Sequence, residues 1–150
     1  MAFVEPTSDV TARLTDGGRD ALSSLILGEL SFELSSFRVG RGGYVSINPV
    51  KVEPVDATLA ALVDPVGASK SFVAIENPVG PNVVAPVCRL GLTDTDVEFG
   101  LGELGVYATY LFNDPAPALI GEEFLFAVAH FPLISKTPSH TLVWRVLIAL

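Results

Sequence analysis

The hydrophobic positions change period once along this chain, and the change separates a short helical stretch from a long β-rich remainder. Ala21, Leu22, Leu25 and Ile26 recur at helical spacing, with Arg19, Asp20, Ser23 and Ser24 on the opposite side. Thr15 or Asp16 offers a side-chain acceptor to the exposed amides at the start, Leu14 stands where a hydrophobic staple would, and Gly28 permits a left-handed stop. One helix is predicted between these marks. Ahead of it, Pro6, Thr7, Ser8 and Asp9 show little periodicity, so residues 1–10 are expected to form an N-terminal arm that lies on a neighbour or is poorly ordered when alone, with a single domain over 11–150.

Beyond the helix the alternation has period two. Phe32 and Leu34 set a phase that Ser35-Ser36 shifts before Phe37 and Val39 resume it, as the extra residue of a β-bulge would. Gly40-Arg41-Gly42-Gly43 suits a tight turn, and Tyr44, Val45 and Ile47 suit a short strand stopped by Asn48-Pro49. Residues 57–63 read as a short helix or a loop, and 71–75 as a strand. Pro81 and Pro86 place Val83-Val84 at a sheet edge or in an extended connection, before strand character returns over 87–92. Three stronger strands, 101–112, 123–129 and 141–150, are separated by Pro-containing loops and are expected to be antiparallel neighbours. The fold class is therefore α+β, a mostly antiparallel β-sheet packed with one main N-terminal helix.

The terminal strand is apolar at both alternations, with Leu142, Trp144, Val146, Ile148 and Leu150 on one side and Val143, Leu147 and Ala149 on the other. Such a strand is covered on both faces. Composition points the same way: hydrophobic residues make up 49% of the 150 and charged residues 17%, where soluble domains average about 25% charged. Some apolar surface is thus expected to meet other subunits. The candidate subunit interface comprises Trp144, Val146, Ile148 and Leu150, together with Phe3 and Val4 of the arm.

Charge and chemistry narrow the classes further. A formal net charge of −8 with nine scattered basic residues argues against nucleic acid as a partner. The C-terminal apolar run is broken by Arg145 and falls short of the roughly 20 residues a spanning helix needs, so no membrane insertion is expected. The N-terminus lacks the basic and apolar regions of a secretory signal, so synthesis in the cytoplasm as a soluble chain is expected. Cys88 is the single cysteine, which removes intrachain disulfides and cysteine zinc sites, and its apolar neighbours suggest a small buried side chain.

His130 and His140 could meet across a hairpin beside Glu122 or Glu123, but two histidines at that spacing read as ordinary hydrogen-bonding groups. Asp94-Thr95-Asp96 with Glu98 has oxygen ligands without the glycine and distal glutamate of an EF-hand loop, and reads as a polar turn. Glu103 lies inside an apolar strand, where an unpaired carboxylate is costly, so Arg89 or Arg145 is expected beside it. Cys88 with a histidine and Asp94 lacks a nucleophile elbow or oxyanion-hole motif. Gly40-x-Gly42-Gly43 precedes no helix, which removes dinucleotide and phosphate-loop readings. Tyr107 and Tyr110 fall on opposite strand faces and Trp144 in the most apolar segment, so core packing accounts for them better than sugar stacking. No catalytic, cofactor-binding or metal-binding residue is assigned.

Four segments, in order, resemble the N-terminal domain of bacteriophage tail-collar fibre proteins. They are Leu14-Thr15 with Gly18 and Leu22, Phe32 with Val39-Gly40, Glu103-Leu104-Gly105-Val106-Tyr107, and the apolar strand 142–150. Residues 50–82 lack the family's pattern, and the lysine and proline that often precede its last strand survive only loosely as Lys136 and Pro138. The resemblance implies a non-enzymatic structural protein of the virion tail that anchors fibres or forms their base at the baseplate. Its implied partners are other tail, baseplate and fibre subunits, and its implied assembly is a homo-oligomer, a trimer before other states. Because the sequence stops at Leu150 without a shaft or distal tip, an adaptor or anchoring subunit is expected. The alternative is a small receptor- or glycan-binding module of the tail.

Overall fold

The computed structural model describes residues 7–47, 50–77, 82–97, 100–139 and 141–150. The one α-helix among them, α1 (Asp16–Ile26), starts at a threonine cap: the Thr15 hydroxyl oxygen accepts the Gly18 N–H at 3.0 Å. That hydroxyl also donates to the Leu125 carbonyl at 2.6 Å, so one side chain both starts the helix and pins it to the sheet. Gly28, at φ +74°, ends the excursion as expected.

Ten strands are described: β1 (Thr7–Leu14), β2 (Leu30–Gly40), β3 (Tyr44–Ile47), β4 (Val50–Val52), β5 (Pro65–Lys70), β6 (Ala74–Glu76), β7 (Val83–Leu90), β8 (Gly100–Asn113), β9 (Glu123–Ser135) and β10 (Leu142–Ala149). Eight form one sheet in the order β5-β2-β8-β9-β1-β10-β7-β6, and β3 pairs with β4 as a separate ribbon. All neighbours are antiparallel except β1 and β10. The fold is α+β, with one helix on a mostly antiparallel sheet. Phe37 and Val39 of β2 share a core with Leu90 of β7 and Trp144, Val146 and Ile148 of β10, strands far apart in the sheet order, so the sheet curls over on itself. Phe131 lies against Trp144 at 5.4 Å, and Phe37 stacks on Phe72 at 6.0 Å. No helix among the described residues is long and apolar enough to cross a membrane.

Several local expectations hold. The bulge falls between Leu34 and Ser36, the glycine turn follows β2, and β8 and β9 are antiparallel neighbours. Others are corrected. Residues 7–10, placed in the arm, begin an interior strand: residues 7–12 of β1 run parallel to β10, and Arg13 and Leu14 run antiparallel to β9. Its polar side chains hid this, yet Asp9 stands opposite Arg145 in register and is bonded to it. Consequently β10 does not neighbour β9; β1 lies between them. Of the strand expected over 71–75, only residues 74 and 75 are strand, the start of β6, and residues 71–73 are the irregular link from β5. Pro86 lies within β7, an interior strand between β10 and β6, where the pairing with β10 steps from Arg145–Val87 to Ile148–Val84 and so passes over its missing N–H.

Residues 57–63 form no helix, only turns and irregular chain. They cover the outer face of β8 and β9, where Leu62 joins Leu125 and Val128 in a second small core flanked by Val55, Leu59 and Tyr107. The Asn48-Pro49 stop, the loop at Pro81 and the Glu98 position lie outside the described residues.

Candidate assembly surface

Most side chains that could do chemistry are committed to holding this outer loop and the strands beneath it. Glu103 on β8 is fully buried and stands opposite His130 on β9. Its carboxylate accepts the Asp64 N–H at 2.8 Å and the Val63 N–H at 3.2 Å. Room for it comes from glycines of the turn after β2: a Cβ on Gly40 or Gly42 would come within 2.3 or 2.9 Å of Glu103 Oε1. The Arg41 N–H donates to the Asp64 carbonyl at 2.9 Å, closing the turn onto the same loop end. At the loop's other end, His130 Nδ1 lies 2.7 Å from the Glu53 carbonyl oxygen, which can only accept, so Nδ1 carries the proton. His130 Nε2 is buried and has no hydrogen-bond partner among the described residues. Glu103 and His130 thus clamp both ends of one loop.

The partners anticipated for Glu103 are elsewhere. Arg89 on β7 and Arg145 on β10 do not flank β8, whose neighbours are β2 and β9. Arg145 instead makes a two-pronged pair with Asp9, at 3.0 and 2.8 Å, and approaches Glu76 at 3.6 Å. That hydrogen-bonded guanidinium holds the Asp9 carboxyl below the usual carboxylate range.

The acidic turn is likewise engaged. Lys70 reaches Asp96 at 3.1 Å and Asp94 at 3.3 Å, while Asp96 accepts the Ala68 N–H at 2.9 Å and Asp94 the Gly91 N–H at 2.6 Å. The carboxylates therefore tie β5 to the short 3-10 turn at Thr95–Val97. Cys88 is fully buried, and burial pushes its thiol far above the ordinary range, which leaves it protonated and inert. His140 lies outside the described residues, so the His130–His140 pairing does too.

Among the exposed apolar side chains, Val63, Val73 and Leu92 stand apart, and most of the others gather at one end of the sheet. Leu22 and Leu25 of α1, Phe32 of β2, Ile75 of β6, Val84 of β7 and Leu150 line a groove of about 260 Å³. Beside it the last turn of α1 leaves Ile26 85% and Leu27 71% exposed. A second apolar group, Leu111, Phe112, Leu119 and Ile120, is also exposed. It belongs to the same end, because Leu30 pairs with Asn113 and the Asp114 N–H donates to the Glu29 carbonyl at 2.9 Å. Contiguous apolar exposure of this kind marks sites of protein association.

The residues proposed for an interface from sequence divide differently. Trp144 (3% exposed), Val146 and Ile148 are buried in this chain's own core on the one face of β10 that the curled sheet covers, whereas on the other face Val143 and Leu147 are half-buried and Ala149 is exposed, so the strand is not covered on both faces within this chain. Leu150 is exposed and borders the groove. Phe3 and Val4 lie outside the described residues. Leu25, Ile26, Leu27 and Ile75 were missed, although the signal was present: three consecutive apolar residues cannot all face inward from one helix.

No family model matches this chain, and neither a curated protein nor a solved structure matches it.

Proposed function

We propose that this chain is a non-catalytic structural subunit of a bacteriophage or phage-like contractile tail, one that anchors tail fibres or forms their base at the baseplate. The observation that carries the assembly role is the apolar end, where Leu25, Ile26, Leu27, Leu111 and Phe112 stay exposed while most of the chain's candidate chemical groups serve internal contacts. The tail assignment rests on the ordered resemblance to tail-collar fibre domains. Three of its motifs also carry structural duties here: Thr15 caps α1, Gly40 makes room for Glu103, and Glu103 holds the outer loop.

In this reading the curled sheet is a rigid plug, and its apolar end seats against other tail, baseplate and fibre subunits or further copies of this chain, a homotrimer first among them. Obligate interfaces of this kind are large and apolar at their centre.

The double variant Ile26→Asp/Leu27→Asp tests it by native mass measurement of the complexes formed when the chain is produced with its neighbouring tail subunits. The wild type should be recovered in a complex, and the variant should be recovered alone with an unchanged melting temperature, since both side chains point to solvent. A wild-type chain found only as a free monomer, or a variant that assembles normally, would overturn the proposal.

A further inference from the structure

The outer face of the sheet carries a cleft of about 310 Å³ across four adjacent strands, lined by Arg38 of β2, Ala68 and Ser69 of β5, Tyr107 of β8 and Glu123 of β9. Two opposite charges stand in it, each oriented by one bond that leaves its other atoms uncommitted. Arg38 Nε donates to the Gly67 carbonyl at 2.8 Å, and among the described residues neither terminal amine of its guanidinium makes a hydrogen bond. Glu123 Oε2 accepts the Ser36 hydroxyl at 3.1 Å, which leaves Oε1 as an acceptor. No ion pair within 4 Å joins the two side chains. Both charges are nevertheless felt at one hydroxyl. Burial pushes the Tyr107 hydroxyl above its ordinary value, the Arg38 charge opposes that rise and the Glu123 charge adds to it.

The other polar cleft, about 440 Å³ beside Thr7, Asp9, Glu76 and Arg145, holds the same kinds of group in a different state. There the arginine and the carboxylates satisfy one another at 2.8 to 3.6 Å. In the cleft across β5, β2, β8 and β9, a guanidinium and a carboxylate face one small space, and among the described residues neither has a counter-ion.

We infer that this cleft binds an α-amino acid zwitterion, its carboxylate taken by the two terminal amines of Arg38 and its ammonium by Glu123 Oε1. Charge selects the class. A neutral ligand leaves both side chains uncompensated, an anion is repelled by Glu123 and a cation by Arg38, whereas a zwitterion meets each with its opposite. The donors agree: parallel guanidinium N–H groups match the two oxygens of a carboxylate, and a carboxylate accepts from an ammonium, which can only donate. Size narrows the class further. Two charge-assisted bonds of about 2.8 Å with one α-amino acid between them span roughly 8 Å, and a sphere of 310 Å³ is about 8 Å across. The two ligand charges therefore belong on one carbon, not at the ends of a longer chain. The small side chains of Ala68 and Ser69 let that carbon approach β5. This cleft is on a different surface from the apolar end, and its ligand does not depend on the tail assignment.

L-Alanine carries both charged groups with little else, and titrating it to about 50 mM into the isotope-labelled intact chain suits the millimolar Kd expected of so small a ligand. Saturable amide shifts should centre on residues 67–69, 107 and 123. N-Acetyl-L-alanine, which lacks the ammonium, L-alaninamide, which lacks the carboxylate, and uncharged methyl glucoside should each bind about tenfold more weakly or worse. Glu123→Gln, which keeps an acceptor for Ser36, should weaken L-alanine about tenfold. Ser69→Tyr, which fills the cleft from an exposed position, should abolish binding with the melting temperature unchanged. The absence of any saturable shift with L-alanine, an analogue or methyl glucoside that binds as tightly, or binding that survives Ser69→Tyr would each overturn the inference.

Discussion

Glu103 is stabilised by main-chain donors where a cation would be the usual answer. A buried carboxylate without compensation loses several kcal/mol of hydration, and two amide N–H groups aimed at it return about 1.5–3 kcal/mol each. Both donors belong to the loop end at residues 63 and 64, so the same bonds that make Glu103 tolerable fix that loop. Glu103→Ala should cost about 3 kcal/mol in urea unfolding, and Glu103→Gln, which keeps one acceptor, about half of that. A loss below about 1 kcal/mol for the alanine variant would show that the loop is held by Leu62 instead. The need for a partner was legible in the sequence; the partner was not, because backbone amides some 40 residues away carry no residue-type signal. Asp96 offers a pH test. The Ala68 N–H and then Lys70 hold its carboxyl below its ordinary value of 3.8. A depressed folded value means that the unfolded chain binds the proton more readily, so this stabilisation is present above the ordinary value and fades as pH falls through the folded one. Between about pH 5 and pH 3, the wild type should therefore lose more stability than Asp96→Asn in chemical denaturation. Equal losses would remove Asp96 from the acid response.

Helix α1 shows how an element can contradict its own propensities. Gly17 and Gly18 both sit in its first turn, where alanine would ordinarily stabilise by up to about 1 kcal/mol. At Gly17 an added Cβ finds its nearest neighbours at 3.7 and 3.8 Å, but at Gly18 it would lie 2.3 Å from the Phe126 carbonyl oxygen, which is backbone and cannot rotate away. Thermal unfolding should find Gly17→Ala neutral or stabilising and Gly18→Ala destabilising by more than about 1 kcal/mol, opposite signs one residue apart. Matching signs would mean that α1 does not press on β9 as described. The cap, the helix and the Gly28 stop were legible, because each depends on neighbours within a turn; of the apolar stripe, Ala21 is buried but Leu25 and Ile26 are exposed. The bulge near Ser35 was legible too. Strand β1 was not, because its Thr, Ser and Asp side chains face outward and its place is set by β10, more than 130 residues away. Strand β5 was not expected either: it opens at Pro65, on the sheet's edge, where a proline is tolerated.

At the scale of the whole molecule the sequence foretold apolar excess correctly and misplaced it. The charge-poor composition and the two-faced terminal strand suggested that β10 meets another chain; the sheet's curl buries Trp144, Val146 and Ile148 internally and leaves most of the excess at the end bearing α1 and the β8–β9 connection. Curl is a property of the strand order, which no local pattern encodes. The relocation changes the expected response to salt. Two copies, each at −8, repel one another at long range, while the proposed contact is made by Leu25, Ile26, Leu27, Leu111 and Phe112, which carry no charge. Raising sodium chloride from about 50 mM to about 500 mM shortens the Debye length from roughly 14 to roughly 4 Å and screens the repulsion without weakening apolar contact. Self-association measured by sedimentation should therefore strengthen with salt, and Ile26→Asp/Leu27→Asp should abolish it at both concentrations. Association that weakens with salt would point instead to an ionic surface, for which the exposed Asp9–Arg145–Glu76 cluster is the nearest candidate, and the apolar end would then need another explanation.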